Sequence, residues 1–296
     1  MATVSSMSRM PVPLRRAAGA LVLVALPLAG CSTAGTAPAP APAPGRPTAT
    51  ETARHGLRLP PADAVFDYQI GGPYPPADDV TVVSRDRAAP PAPGRYGICY
   101  VNAFQGQPGA DARQWWRRHH PDLLLRDRDG EPVVDEDWDE PLLDISTPAK
   151  RTALLGVVGP WIDGCAQAGF DAVEADNLDS YERSHDLLTK DDARAFAALL
   201  TRRAHDRGLA AAQKNAGDLL PERHRTGFDF AVTEECARYR ECSDYAETYD
   251  DRVFDIEYRR TDFDTGCRTW GARLSLTLRD RDVGRPGEHG YVRRAC

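Results

Sequence analysis

The sequence predicts an α/β fold, a single (β/α)8 TIM-barrel-like domain, from three features. Short β-prone runs alternate with amphipathic helical stretches, the signature of βα units on a parallel sheet. Eight or nine such runs are present, too many for a small open sheet and suited to a closed barrel. The stretch that holds them, 64–296, contains no second linker and is long enough for one large core.

Two segments precede that domain. Residues 1–30 contain no acid, carry Arg9, Arg15 and Arg16, and run apolar from Ala17 to Leu28. A basic stretch followed by about a dozen apolar residues reads as an export signal, because a membrane-spanning helix needs roughly 20. The run ends in Leu28-Ala29-Gly30-Cys31, which resembles a bacterial lipobox and predicts a lipidated, palmitate-bearing Cys31. Residues 31–63 are rich in Ala and Pro, as in Ala37-Pro38-Ala39-Pro40-Ala41-Pro42-Ala43-Pro44. They have little to bury and read as an extended stalk. The expectation is an exported lipoprotein, held to the membrane through Cys31, whose domain faces the extracytoplasmic side.

Strands are expected at Val65–Ile70, Val80–Val83, Gly97–Val101, Leu142–Ile145, Ala172–Ala175, Ala210–Lys214, Phe230–Glu234 and Val253–Tyr258, with Leu274–Leu278 a possible ninth. The clearest helix is Lys190–Arg207, where Thr189 can cap and Ala193, Phe196, Ala197, Leu200 and Ala204 recur at helical spacing before Gly208. A second, Pro148–Ala168, ends before Gly169, and Gly156, Gly159 and Pro160 are points where it can break or kink. Trp115 and Trp116 fall in a further helix, with core packing the expected role for both.

Setting Cys31 aside leaves Cys99, Cys165, Cys236, Cys242, Cys267 and Cys296, an even number that favours disulfides in an exported domain. Proximity suggests Cys236 with Cys242 and Cys267 with Cys296, leaving Cys99 with Cys165, one of 15 possible connectivities. No cysteine pair has zinc spacing and the histidines form no ligand pair, so neither a metal nor another cofactor is expected. Without the signal the chain carries 34 basic and 44 acidic residues, a balance of −10. That argues against nucleic acid as a partner and is compatible with a cationic ligand.

In a (β/α)8 barrel the active site lies at the carboxyl ends of the strands. Those ends are polar here: Gln69 after Tyr68, Asn102 after Tyr100, Asp144, then Glu174, Asp176 and Asn177, Lys214 and Asn215, Glu234, and Glu257 with Tyr258. Any one of them alone is more simply a helix cap or a solvated side chain. All of these strand ends together point to a site. Several carboxylates around one concavity, without metal ligands, suit glycoside hydrolysis, in which one carboxyl donates a proton and the other attacks or activates water. Alternation places Glu174 and Asp176 on one face of their strand and Val173 and Ala175 on the other.

The segment Glu174-Ala175-Asp176-Asn177, together with Phe66-Asp67-Tyr68-Gln69-Ile70, Leu142-Leu143-Asp144-Ile145, Lys214-Asn215, Thr233-Glu234-Glu235-Cys236 and Phe254-Asp255-Ile256-Glu257-Tyr258, resembles glycoside hydrolase family 114, the endo-α-1,4-polygalactosaminidases. The resemblance covers nearly all of 64–296. It implies a barrel that cleaves internal α-1,4 links of a cationic or partly de-acetylated galactosamine-rich polysaccharide. It also implies that Asp176 is nucleophile or base and Glu234 general acid/base. Substrate contacts are expected from Asp67, Tyr68, Gln69, Tyr100, Asn102, Asn177, Lys214, Asn215 and Tyr258. Glu174, Asp144 and Glu257 are expected as amine ligands or pKa partners, and the protein as a monomer. Two stretches depart from the family pattern: Asp135-Glu136-Asp137-Trp138-Asp139-Glu140 stands where Gly-Glu-x-Trp is common, and Val101-Asn102-Ala103-Phe104-Gln105 replaces a smaller loop. Both fall at the expected cleft mouth. Tyr68, Tyr74, Tyr100, Trp138, Tyr181 and Tyr258 are candidates to stack on sugar faces.

Two other readings fit parts of the pattern. An aldolase-type barrel would use Lys214 as a Schiff-base lysine. A non-catalytic lipoprotein would bind a cationic glycan without cutting it.

Overall fold

The computed structural model describes residues 56–296. The expected export signal, Cys31 and the greater part of the expected stalk lie outside the described residues. The chain is already in contact with the domain at Arg58, whose guanidinium pairs with Asp171 at 2.9 Å and whose carbonyl accepts from Tyr96 Oη at 2.8 Å.

Eight parallel strands form the sheet: β1 (Phe66–Gln69), β2 (Val82–Asp86), β3 (Tyr96–Asn102), β6 (Ala172–Asp176), β7 (Ala210–Lys214), β8 (Phe230–Glu234), β9 (Val253–Glu257) and β10 (Ser275–Arg279). A short antiparallel strand, β11 (Arg293–Ala295), follows on β10. The sheet curls into a nearly closed barrel: β1 lies beside β10, and the Ala64 amide donates to Ser275 Oγ at 2.8 Å. A two-stranded hairpin of β4 (Val134–Asp135) and β5 (Glu140–Pro141) stands in the long connection after β3.

The helices are α1 (Ala110–His119), α2 (Pro148–Ala168), α3 (Lys190–His205), α4 (Arg223–Thr226), α5 (Cys236–Tyr239), α6 (Cys242–Tyr249) and α7 (Arg260–Trp270). Thr189 and Asp192 form a reciprocal capping box on α3, which satisfies two of the amides a helix start leaves open. Gly208 follows at φ 76, a conformation that costs a glycine little. Thr147 caps α2, Gly169 ends it at φ 90, and the helix runs through Pro160 without being divided.

Side-chain alternation sorts the strands into two cores. Phe66, Tyr68, Ile98, Phe230, Val232, Phe254 and Ile256 fill the barrel interior around the small Ala172, Ala210 and Ala212. Phe254 meets Phe66 and Phe230 edge-on, with centroids at 5.2 and 5.7 Å. The opposite faces, among them Val101, Val173 and Ala211, pack with Leu154, Phe196 and Leu200 of the helices.

The expected strand at Leu142–Ile145 is not a barrel strand. Leu142 and Leu143 make only isolated bridges to Gln105 and Leu124, and the segment packs between barrel and helices. An apolar run of four cannot by itself distinguish a strand from a buried connection. The possible ninth run supplies the eighth parallel strand instead. The second strand begins at Val82, two residues later than expected. Trp116 is buried, whereas Trp115 is 38% exposed and stacks on His119 at 5.2 Å. The disulfides are Cys99–Cys165, Cys236–Cys242 and Cys267–Cys296, the pairing that proximity suggested.

Candidate active site

The parallel register brings strand ends to one height: Tyr100 of β3 is paired with Glu174 of β6, and Asn102 with Asp176. Above them opens a cleft of about 590 Å3 at the carboxyl end of the barrel. At its floor Lys214 of β7, only 2% exposed, touches three carboxylates. Its Nζ lies 3.1 Å from Glu174 Oε1, 3.0 Å from Asp176 Oδ1 and 3.3 Å from Glu234 Oε2.

Each carboxylate has further partners. Glu174 is fully buried and accepts from Tyr68 Oη and Ser84 Oγ, both at 2.9 Å. Asp176 accepts from Tyr100 Oη at 2.5 Å. Glu234 accepts from Tyr258 Oη and, at 3.1 Å, from Asn215 Nδ2, while its own amide donates to Asn215 Oδ1 at 2.8 Å. The residues just past these strands, Asn177, Asn215, Ala216 and Glu235, all have left-handed backbones with φ between 46 and 64. Such conformations cost non-glycine residues energy and cluster where a site fixes side-chain direction.

The family model of glycoside-hydrolase family GH114 matches residues 46–296. The chain belongs to that family. It is a glycoside hydrolase, and the two strand-end carboxylates lie within a GH114 barrel. Among solved structures, Aspergillus fumigatus Ega3 in complex with galactosamine is similar with a TM-score of 0.64 at 23% identity, covering 81% of this chain and 98% of that one. The glycoside hydrolase domain of PelA from Pseudomonas aeruginosa gives a TM-score of 0.51 at 16% identity, covering 76% and 96%. At these identities the likeness is one of fold. No curated protein matches the chain.

Within this GH114 cleft the expected residues divide cleanly. Tyr68, Tyr100, Asn102, Asp176 and Asn177 line it, as do Lys214, Asn215, Glu234 and Tyr258. Glu174 sits directly beneath. Four others are elsewhere. Asp67 and Gln69 lie on the face of β1 opposite Phe66 and Tyr68, where Asp67 accepts from Gln69 Nε2 and Tyr74 Oη at 2.8 Å and pairs with Arg293 at 3.3 Å. Glu257 likewise faces away from the interior side of β9 and accepts the Ala237 and Arg238 amides of α5 at 2.9 and 3.2 Å. Asp144 accepts from Ser146 and pairs with Lys150 at 3.5 Å, beside a separate surface depression, because its segment is not a barrel strand. Of the stacking candidates Tyr68, Tyr100, Trp138 and Tyr258 line the cleft, with the Arg281 guanidinium between the last two at 5.8 and 5.6 Å from their rings.

Residues given no individual role from the sequence complete the wall. The β4–β5 hairpin brings Asp135 and Glu140 to it, and Arg183 binds Asp135 at 2.8 Å and Asp179 at 2.9 Å. The departure from Gly-Glu-x-Trp was the available signal, since it marks this stretch as cleft-facing.

The charges separate the acids by role. Burial works against a charged Lys214, but Asp176, Glu234 and Glu174 outweigh it and hold the ammonium protonated well above its ordinary range. Burial would raise Asp176, yet Lys214 and the Tyr100 hydrogen bond hold its carboxyl below the usual value. Glu174 is pushed up, by burial first and by Asp176, against the pull of Lys214. Asp176 is thus kept ionised, and a Lys214 ammonium is no nucleophile.

Proposed function

We propose that the protein is an extracytoplasmic, retaining endo-glycosidase of α-1,4-linked galactosamine-containing polysaccharide, with Asp176 as nucleophile and Glu234 as general acid/base. The observation that carries this reading is Lys214 bridging the two. The oxygens it touches on Asp176 and Glu234 are no further apart than the sum of those contacts, about 6.3 Å. That favours retention, for which carboxyl groups stand roughly 5–5.5 Å apart, over inversion at roughly 6.5–9.5 Å.

In the first step Asp176 attacks the anomeric carbon while Glu234 gives its proton to the departing glycosidic oxygen, leaving a glycosyl ester on Asp176. In the second, Glu234 takes a proton from water, the hydroxide adds to the same carbon, and Asp176 leaves as carboxylate. Lys214 and Tyr100 keep Asp176 ionised and aimed. Tyr258 and Asn215 orient Glu234.

A cationic substrate is supported by the excess of acids over bases on the cleft wall and by the −10 balance of the chain without its signal. Galactosamine is the sugar bound in the Ega3 structure. Three disulfides support an oxidising compartment, in keeping with export and a tether through Cys31. The test is oligosaccharide release from de-acetylated α-1,4-galactosaminan. Release by the wild type, abolished in Asp176→Asn and Glu234→Gln, is expected; binding without release would make the protein a glycan-binding module instead.

A further inference from the structure

Glu140 differs from the other acids of the cleft. It is 93% buried, at 7% exposure, and lines the cleft from β5. Its Oε2 accepts from Asn102 Nδ2 at 2.9 Å and from Asn177 Nδ2 at 3.2 Å. Among the described residues its Oε1 has no hydrogen-bond partner, and no cation pairs with either oxygen. The neighbouring carboxylates are all occupied: Asp135 by Arg183 and Gln105, Glu174 by Lys214, Tyr68 and Ser84, and Asp176 by Lys214 and Tyr100.

A carboxylate buried without a cation is costly, so such a position either holds a proton or waits for a positive charge from outside the chain. Burial first, then the charges of Asp176 and Asp135, push Glu140 up to about 7 against the two amide hydrogen bonds. Its location says which sugar would supply the charge. Asn102 ends β3 and Asn177 follows β6, so Glu140 stands on the side of Asp176 away from β7 and β8. Glu234, on β8, marks the side where the leaving group departs. Glu140 therefore faces the sugar that becomes bonded to Asp176, in which the 2-amino group is carried by the carbon next to the reacting one.

We propose that Glu140 is the specificity-determining carboxylate for this enzyme, receiving the 2-ammonium group of the sugar bound over Asp176 and so selecting free-amine residues over N-acetylated ones. The two asparagine amides hold one oxygen, and the other is left for the ammonium. An acetamide would bring no charge to offset the buried carboxylate. The inference rests on the galactosaminidase reading above.

The test compares wild type, Glu140→Gln and Glu140→Asp on defined α-1,4-galactosamine oligomers and their N-acetylated counterparts. In Glu140→Gln the ratio of kcat/KM for free-amine over N-acetylated substrate is expected to fall about tenfold or more, because a charge-assisted hydrogen bond is lost. Glu140→Asp keeps the charge and retains part of the preference. Calorimetric titration with galactosamine and with N-acetylgalactosamine checks this without turnover: only the first should weaken in Glu140→Gln. A wild-type enzyme that cleaves galactosamine oligomers, with the ratio unchanged in Glu140→Gln, overturns the assignment alone. A wild type that ignores galactosamine altogether overturns the proposed function and this inference with it.

Discussion

Replacing Lys214 by Met, of similar length and without charge, removes the cation that touches Glu174, Asp176 and Glu234 at 3.0–3.3 Å. Leaving buried charges without their partner costs about 3–5 kcal/mol. About 3 kcal/mol of that is taken as the loss on removing the cation, and the Asp176 carboxyl, no longer held down by Lys214, moves up in pKa. Asp176 is held low in the wild type, so its contribution to stability is present at neutral pH and is lost as pH falls through its folded value. The variant should therefore show an acid limb of kcat/KM displaced to higher pH, with activity lost along that limb. Its melting temperature should drop by about 6–12 °C at neutral pH, with the gap narrowing in acid as the carboxylates protonate. Initial rates of reducing-end release across the acid range and thermal melts at the same pH values measure both. An acid limb at the wild-type position, or a melting temperature unchanged at neutral pH, would refute the role given to Lys214.

Other outcomes follow from the same charges. KM for free-amine oligomers should pass through a minimum near pH 7, since Glu140, facing Asp135 of the hairpin, Asp176 of β6 and Tyr100 of β3, must be ionised while the sugar's own amine still holds its proton; a steady-state pH series on wild type and Glu140→Gln, in which the acid side of that minimum is lost, checks this. Asp255 on the outer face of β9 is raised well above its ordinary value by burial and then by Glu257, so its contribution is lost as pH rises through the folded pKa. Asp255→Asn should accordingly melt higher than wild type at alkaline pH and at the same temperature in acid. Asp144→Asn, outside the cleft, should leave KM within roughly twofold by the same kinetic assay.

Much of the site was legible because strand ends in a barrel converge, and Asp176, Lys214 and Glu234 each end a run whose apolar pattern is plain. For Asp67, Gln69 and Glu257, expected in the cleft, the same alternation argues otherwise. Phe66 and Tyr68, like Phe254, Ile256 and Tyr258, take the interior face, which leaves Asp67, Gln69 and Glu257 on the other. The period of two that turns Glu174 and Asp176 inward turns all three outward. Asp144 failed for a different reason, since a short apolar run buried on both sides carries no period. Glu140 lies on a two-residue strand within a long connection, and only the folded path of that hairpin brings it to Asn102 and Asn177. The joint hold of Lys214 on three acids is likewise a property of register, not of any one segment.

Retention by double displacement requires that Asp176 form a covalent bond to the sugar. Glu234→Gln, supplied with a galactosaminide whose leaving group needs no proton, should pass the first step and stall at the second, which needs a base. Mass spectrometry of the intact protein followed by peptide mapping should then find one glycosyl group on the peptide containing Asp176. Turnover with no adduct, or an adduct on another residue, would contradict the account.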